Sequence, residues 1–326
     1  MFLLAFESSC DDTSVALLRD DVLVSMHTHT QLEHIQTLGV VPEVAARLHA
    51  DHIFDLITKV LTDDGIELNA IDVFAATSEP GLVPSLLIGK TVAKSLAISH
   101  KKPIIWVNHI EGHIFSLLLE RKLEELEFPM IVLSASGWHN DLFLWNSLYE
   151  IEKVGSTVDD SAGESMDKVG RSLWLPFPAG RHMDELAQKY DPAIHKNIPS
   201  FPLVLPEWNL NFSFSGLKSA ALREIELRKK DHSELTETDL IEISYGYQGI
   251  ITNILSKRLI EAQEKTGAKS IGLVGGVSAN SALREIMEEY SQENNIPYYT
   301  PKSMQYCGDN AAMIGIRAYW EFRRSS

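Results

Sequence analysis

Two histidines one helical turn apart give this chain its first candidate chemistry. In His109-Ile110-Glu111-Gly112-His113 the imidazoles stand at i and i+4, on one face of a helix. Two ring nitrogens placed so can reach a single ion at ~2.0–2.2 Å. Glu111, at i+2, points to the opposite side. The segment is therefore not the HExxH arrangement, in which the glutamate directly follows the first histidine and acts as general base. The same spacing also arises in helices that hold no metal. A third ligand must come from elsewhere in the chain. Asp309, in Cys307-Gly308-Asp309-Asn310-Ala311-Ala312, is a candidate in a polar turn ahead of an Ala-rich helix. Its plainer role there is a helix N-cap. Two histidines and one carboxylate leave coordination positions open, which suits a catalytic or substrate-holding ion.

A second constellation suits a nucleotide. Leu273-Val274-Gly275-Gly276-Val277-Ser278-Ala279-Asn280 reads as a buried strand, a double-glycine turn and a helix start capped by Ser278. Glycine admits a close ligand, and a helix N-terminus offers free N–H groups to an anion. Asn280 can donate and accept at a ribose or base. A simple turn is the alternative. Asp159-Asp160-Ser161-Ala162-Gly163-Glu164-Ser165-Met166-Asp167-Lys168 enters a helix, where carboxylates favour the N-terminus electrostatically and also suit a metal or ribose hydroxyls. Gly89-Lys90-Thr91 resembles the end of a P-loop, but Pro84 stands where the first glycine belongs and the segment reads as mid-helix.

The elements that position these residues alternate between strand and helix. Phe2–Glu7, Val15–Leu18 and Val22–His27 read as strands, and a long helix begins at Pro42 with Ile53, Leu56, Ile57 and Val60 on one face. Ile71–Thr77 is a strand, Pro84–Ser99 a helix, and Pro103–Val107 a strand feeding the histidine helix. Later come strands at Met130–Ser134, Leu142–Trp145 and Ser270–Val274. Between them Leu240, Ile243, Tyr247, Ile250, Ile251 and Ile254 mark a long helix capped near Thr236 or Thr238. Both halves open on a strand–turn–strand hairpin with a polar turn, Ser8–Ser14 and Ser134–Asp141. This suggests a duplication with a ligand between lobes, or a chance likeness of two hairpins.

Composition narrows the class. The 326 residues suffice for one large or two medium domains. The net charge of −16 argues against a free-standing binder of long nucleic acid, leaving room for a local basic patch or a basic partner. Two cysteines, Cys10 and Cys307, are too few for a disulfide framework. No apolar run reaches the length of a membrane span, and Met1–Phe6 lacks the form of a signal peptide, so a cytoplasmic, non-membrane protein is expected.

Taken together, these segments resemble the tRNA N6-adenosine threonylcarbamoyltransferase (TsaD) family, once misnamed O-sialoglycoprotein endopeptidase. The matching pieces run in family order over nearly the whole chain. They are Glu7–Thr13, Gly39–Glu43, Pro80-Gly81-Leu82, His109–His113, Ser136-Gly137, Asp160–Lys168, Pro178–Gly180, Asn211–Lys218, Gly275–Asn280 and Asp309-Asn310-Ala311.

The resemblance implies an α/β actin-like, sugar-kinase-like (ASKHA) fold of two RNase H-like lobes with a central nucleotide and metal cleft. We expect lobes at 1–108 plus 303–326 and at 109–302, the second carrying the metal helix and the nucleotide turns. His109, His113 and Asp309 would hold Fe(2+), with Zn(2+) as the alternative. Ser134, Ala135, Ser136, Gly137 and Trp138, with Asp167, Gly180 and Asn280, would contact the adenylate substrate, or ATP or ADP in its place. Asp11 and Asp12 match an acidic pair thought to position groups or move a proton. The implied reaction transfers threonylcarbamoyl from threonylcarbamoyl-adenylate to N6 of adenosine 37 in tRNAs reading ANN codons, releasing AMP. Implied partners are tRNA, a homologous non-catalytic subunit and a small ATPase.

Departures cluster near the nucleotide residues. Glu79, Trp138 and Ala179 each replace a family glycine, Asn140-Asp141 replaces Thr-Gln, Asp12 replaces Glu, and Ser14 stands for a small residue. Trp138 could point away, stack on a ligand ring, or reshape the pocket. The alternative functions are a non-catalytic or weakened paralogue acting as a scaffold in tRNA modification, and a small-molecule kinase of the same superfamily.

Overall fold

The computed structural model describes residues 1–34, 39–203, 205, 209–232 and 234–325. Its strands are β1 (Phe2–Glu7), β2 (Asp12–Arg19), β3 (Val22–Thr30), β4 (Val73–Glu79), β5 (Ile104–Asn108), β6 (Met130–Ala135), β7 (Asn140–Ser147), β8 (Glu150–Ser156), β9 (Ser270–Val274) and β10 (Tyr298–Tyr299). Its helices are α1 (Pro42–Asp63), α2 (Val83–His100), α3 (His109–Phe115), α4 (Ala162–Ser172), α5 (Ala179–Ala187), α6 (Ser215–His232), α7 (Glu237–Thr266), α8 (Ser281–Asn294) and α9 (Ala311–Ser325). They form two compact units, Met1–Glu125 with Pro301–Ser326, and Leu126–Thr300.

The first unit is built on a sheet of order β3-β2-β1-β4-β5. β1 pairs antiparallel with β2 and parallel with β4. A strand flanked on both sides and covered by helices must be apolar along its length, and Leu3, Leu4, Ala5 and Phe6 are all buried. α1 starts with Pro42 in its first turn and buries Ala45, His49, Ile53, Leu56, Ile57 and Val60, the stripe its 3.6-residue period predicts. The chain returns from the second unit to add α9, which packs on β1, β2, β5 and α3.

The second unit repeats the scheme with order β10-β9-β6-β7-β8. β6 pairs antiparallel with β7 and parallel with β9, as β1 does with β2 and β4. The two opening hairpins therefore occupy the same place in the same topology. α4 to α7 lie in the connection between β8 and β9 that corresponds to the one holding α1 between β3 and β4. α7 runs through the core, burying Ile243, Tyr247, Ile251, Ile254, Leu255 and Leu259. Its start is the capping box in which Thr236 and Asp239 satisfy each other's backbone N–H, and Gly267 ends it at φ +65°.

Two sequence expectations are corrected here. α3 belongs to the first unit, and the division falls after Glu125 rather than after residue 108. α3 packs on α9, where a Cβ added to Gly112 would stand 2.9 Å from Ile314 Cδ1. Its absence lets α3 lie against α9, and Arg317 fixes the pair by donating to Glu111 at 2.7 Å. In the second unit, Ser278 lies in a 3-10 turn and caps nothing. Asn280 is the N-cap of α8, accepting from Leu283 N at 3.0 Å.

Candidate metal centre and nucleotide turns

α3 begins where β5 ends, and the side chain of Asn108 caps it by accepting from Ile110 N and Glu111 N. This orientation buries His109 and His113 on the face toward α9. Asp309 precedes α9, but it is not the cap of that helix. Asn310 takes that role by accepting from Met313 N at 2.9 Å. The carboxylate of Asp309 is left to face the histidines, with Oδ1 at 3.2 Å from His113 Nε2 and 3.4 Å from His109 Nε2. Ligands bound to one ion at ~2.1 Å stand ~3–3.5 Å apart, so both separations suit a shared divalent ion. The candidate ligand atoms of the three residues all lie within 4.8 Å of one another. Glu111 points away to Arg317 and cannot serve as the base of a peptidase.

Behind His109 stands Glu7, which the sequence reading placed only inside a motif. Its carboxylate is fully buried and accepts from Thr77 Oγ1 and Ser9 N, each at 2.6 Å. It lies 3.0 Å from His109 Nδ1, and Ser9 Oγ lies 3.2 Å from the same nitrogen. A carboxylate on the far nitrogen fixes tautomer and ring orientation, and leaves Nε2 to a metal. A buried glutamate at a strand end was the available signal, since such a charge is rare without a partner.

The electrostatics agree with a cation site. Burial alone would lower the pKa of His109, but the charges of Asp309 and Glu7 outweigh it and hold the ring up at about 10. Burial would raise Asp309, yet His109 beside it depresses its pKa. Burial lowers His113, keeping it neutral, and its Nδ1 is buried without a hydrogen-bond partner among the described residues. Asp309 and Glu7 thus favour a positive charge at His109. The residues present fit a two-histidine, one-carboxylate metal site with open positions.

Asp11 lies in the turn from β1 to β2 and Asp12 is the first residue of β2, both in the same unit. Burial raises Asp11, and the nearby charge of Asp309 adds to this. Burial pushes Asp12 up to about 8, reinforced by Asp11. Thr30 Oγ1 donates to Asp12, so Asp12 is tied to β3.

The nucleotide residues expected from the sequence all lie in the second unit. Ser134 and Ala135 are buried within β6, and the accessible part of that run is Ser136, Gly137 and Trp138. The turn is held by its own serine. Ser136 N donates to His139 O at 2.8 Å, and Ser136 Oγ accepts from Trp138 N and His139 N. Ser161, the N-cap of α4, donates from Oγ to Gly137 O at 2.7 Å. Gly163 comes so close that a Cβ there would meet Gly137 Cα at 2.6 Å. Gly275, at φ +87°, makes a similar approach to Ala135 O on the other side. The replacement Asn140 gains a use, its Oδ1 accepting from Ala162 N at the start of α4.

One helical turn beyond Gly163, Asp167 accepts from Ala179 N at 2.7 Å and so orients the start of α5, where Gly180 lies. Asn280 Nδ2 reaches Asp184 Oδ1 at 3.4 Å. Asp184, absent from the sequence reading, also accepts from Ser281 Oγ and Gln248 Nε2, each at 2.8 Å. The Trp138 side chain is 54% exposed and does not fill the interior. The sequence reading could not separate its three possible orientations, because exposure follows from the turn held by Ser136.

Comparison with known proteins agrees with these features. The profile of the TsaD family, described as tRNA N6-adenosine threonylcarbamoyltransferase, matches residues 22–316. The tRNA N6-adenosine threonylcarbamoyltransferase of Geobacter sp. (strain M21) is 39% identical over 319 residues, covering 97% of this chain and 90% of that protein. That of Staphylococcus haemolyticus (strain JCSC1435) is 39% identical over 324 residues, covering 98% and 91%. Among solved structures, full-length HypF matches with a TM-score of 0.61 at 13% identity, over 99% of this chain and 46% of that one. Component A of (R)-2-hydroxyglutaryl-CoA dehydratase from Acidaminococcus fermentans matches with a TM-score of 0.55 at 13% identity, over 98% of each chain. These structural likenesses support the ASKHA-type fold alone. The sequence relationships, running over nearly the whole chain, go further: the chain belongs to the TsaD family of tRNA N6-adenosine threonylcarbamoyltransferases and is a transferase.

Proposed function

We propose that this chain transfers the threonylcarbamoyl group from threonylcarbamoyl-adenylate to N6 of adenosine 37 in ANN-reading tRNAs. The observation that carries the reading is the His109–His113–Asp309 triad, backed by Glu7, in a member of that family. A scaffold paralogue would have no use for a buried donor set with this geometry. Nothing in the site favours a small-molecule kinase.

In the reaction, the exocyclic nitrogen of the adenosine attacks the carbamoyl carbon. A new N–C bond forms, the C–O bond to the phosphate breaks, and AMP leaves with that oxygen. His109, His113 and Asp309 would hold the metal, which we assign as Fe(2+) with Zn(2+) as the alternative. The chemistry such an ion supplies is Lewis-acid polarisation of a carbonyl oxygen and relief of charge developing there. Glu7 keeps the His109 ring in position. Asp11, its pKa raised by burial, accepts the proton that the attacking amine loses, with Asp12 beside it.

In the second unit, the accessible Ser136–Trp138 turn, held against the start of α4 by Ser161, receives the phosphate end of the adenylate. Asp167, Gly180 and Asn280 border its nucleoside. A homologous non-catalytic subunit and a small ATPase complete the system, and a basic surface on such a partner would offset the net charge of −16.

The test supplies preformed adenylate with labelled threonine to an unmodified ANN-reading tRNA, with candidate partner proteins present. Label should reach tRNA with wild type and vanish with His109→Ala. Absence of label from wild type that has bound metal and nucleotide would sink the reading.

A further inference from the structure

The end of α4 carries a residue that the fold does not ask for. The helix closes in a Schellman motif, with Leu175 N donating to Gly170 O at 3.0 Å and Trp174 N to Arg171 O at 3.1 Å. The residue in the left-handed position of that motif is usually glycine, because a side chain crowds the backbone there. Here it is Trp174, at φ +60°. Its ring is 81% exposed, so it returns little burial for the strained backbone. At the other end of the same helix, Trp138 projects from the turn that Ser161 and Gly163 hold against the α4 N-terminus. Neither indole contributes much to the core, and α4 separates them by about 16 Å for its 11 residues.

We propose that Trp138 and Trp174 are stacking platforms for unpaired bases of an RNA loop, the substrate tRNA supplying that loop. This rests on the transferase reading above. Single-stranded RNA is recognised largely by bases splayed onto aromatic rings, and every base offers a π-face for such a stack. The side of α4 away from the core carries Glu164, Asp167, Lys168 and Arg171 at i, i+3, i+4 and i+7. Lys168 is paired with Asp160 and Glu164, each at 2.8 Å, so this face is close to neutral. A protein partner would want an apolar, charge-depleted centre there. A solvated single strand bridging two rings does not.

The test uses the full chain and a labelled anticodon stem-loop of an ANN-reading tRNA, with AMP as a second probe. Trp174→Gly should weaken RNA binding about tenfold, the loss of one base stack. Because it relieves the left-handed strain, it should also raise Tm by about 2–4 °C. Those opposite signs separate loss of contact from misfolding. Trp174→Phe should keep RNA affinity within about threefold, and AMP affinity should not respond to either change. Adding Trp138→Ala to Trp174→Gly should bring the total loss to about a hundredfold.

RNA affinity unchanged in Trp174→Gly overturns the proposal, as does a defect confined to binding of a protein partner. If wild type transfers label to tRNA while Trp174→Gly does so with unchanged KM, the platform falls and the transferase stands. If wild type binds the loop through these rings but transfers nothing, the transferase reading falls and the platform stands.

Discussion

At the scale of single residues, the metal centre depends on a hydrogen bond that begins outside it. Glu7 reaches His109 Nδ1 from the end of β1 and is itself held by Thr77 and Ser9. Glu7→Gln keeps the shape but loses the charge behind the imidazole. Loss of such a partner typically costs 10–100-fold in metal affinity, so we expect about tenfold or more, read by competition with a chromophoric chelator, with little change in secondary structure. Asp11→Asn should leave metal content intact and slow transfer by about 10²-fold or more, in line with general-base catalysis. Full activity with full metal would remove Asp11 from the mechanism.

At the scale of elements, α4 is the part on which the second unit's candidate residues converge. Gly163 lets its N-terminus touch the Ser136–His139 turn, and Gly170 lets it touch Ala179. Gly163→Ala would place a methyl 2.7 Å from Ser136 O, against backbone that cannot swing aside. We expect it to displace the turn and abolish nucleotide binding, measured by calorimetry, while metal content is unaffected because those ligands lie in the first unit.

The approach to α4 also sets an acid limit. Burial would raise Asp160, but its bonds to Lys168 and Lys218 outweigh this and lower its pKa. A carboxylate depressed on folding stabilises above its unfolded pKa of ~3.9, and that contribution is lost as pH falls through the folded value. Urea midpoints of wild type should therefore drop as pH falls from about 5 to 3, and Asp160→Asn should flatten that dependence. An unchanged slope would show that Asp160 is not the group responsible.

At the scale of the whole molecule, the same five-stranded topology occurs twice, and the candidate chemistry is divided between the copies. The metal triad sits where the first unit closes α9 onto α3, so ligand binding there stabilises a structure made from both ends of the chain. An ion at a hundred times its Kd contributes about 2.7 kcal/mol to the state that binds it. Thermal melts should rise with added Fe(2+) or Zn(2+), and His113→Ala should remove that response. Hydrogen exchange should place the gain in the first unit, and a gain confined to Leu126–Thr300 would contradict the assignment.

Much of this was settled by local pattern. The apolar run Leu3–Phe6, the stripe from Ile53 to Val60, and the i, i+4 spacing of His109 and His113 act over a few residues, and each is legible from periodicity. The cap of α7 was readable to Thr236 or Thr238 for the same reason, and the structure places it at Thr236. The identity of the third ligand was not. Asp309 and Asn310 are adjacent polar residues ahead of one helix, and only packing against α3 decided that Asn310 caps while Asp309 faces the histidines. Glu7 behind His109 was equally invisible, because it depends on β1, β4 and α3 meeting from distant parts of the chain. So was the boundary after Glu125, which follows from the packing of α3 on α9, two segments distant in the chain. Local sequence determined which elements form and which residues could do chemistry. Tertiary structure decided which of those residues face one another, because that is set by contacts between segments far apart in the chain.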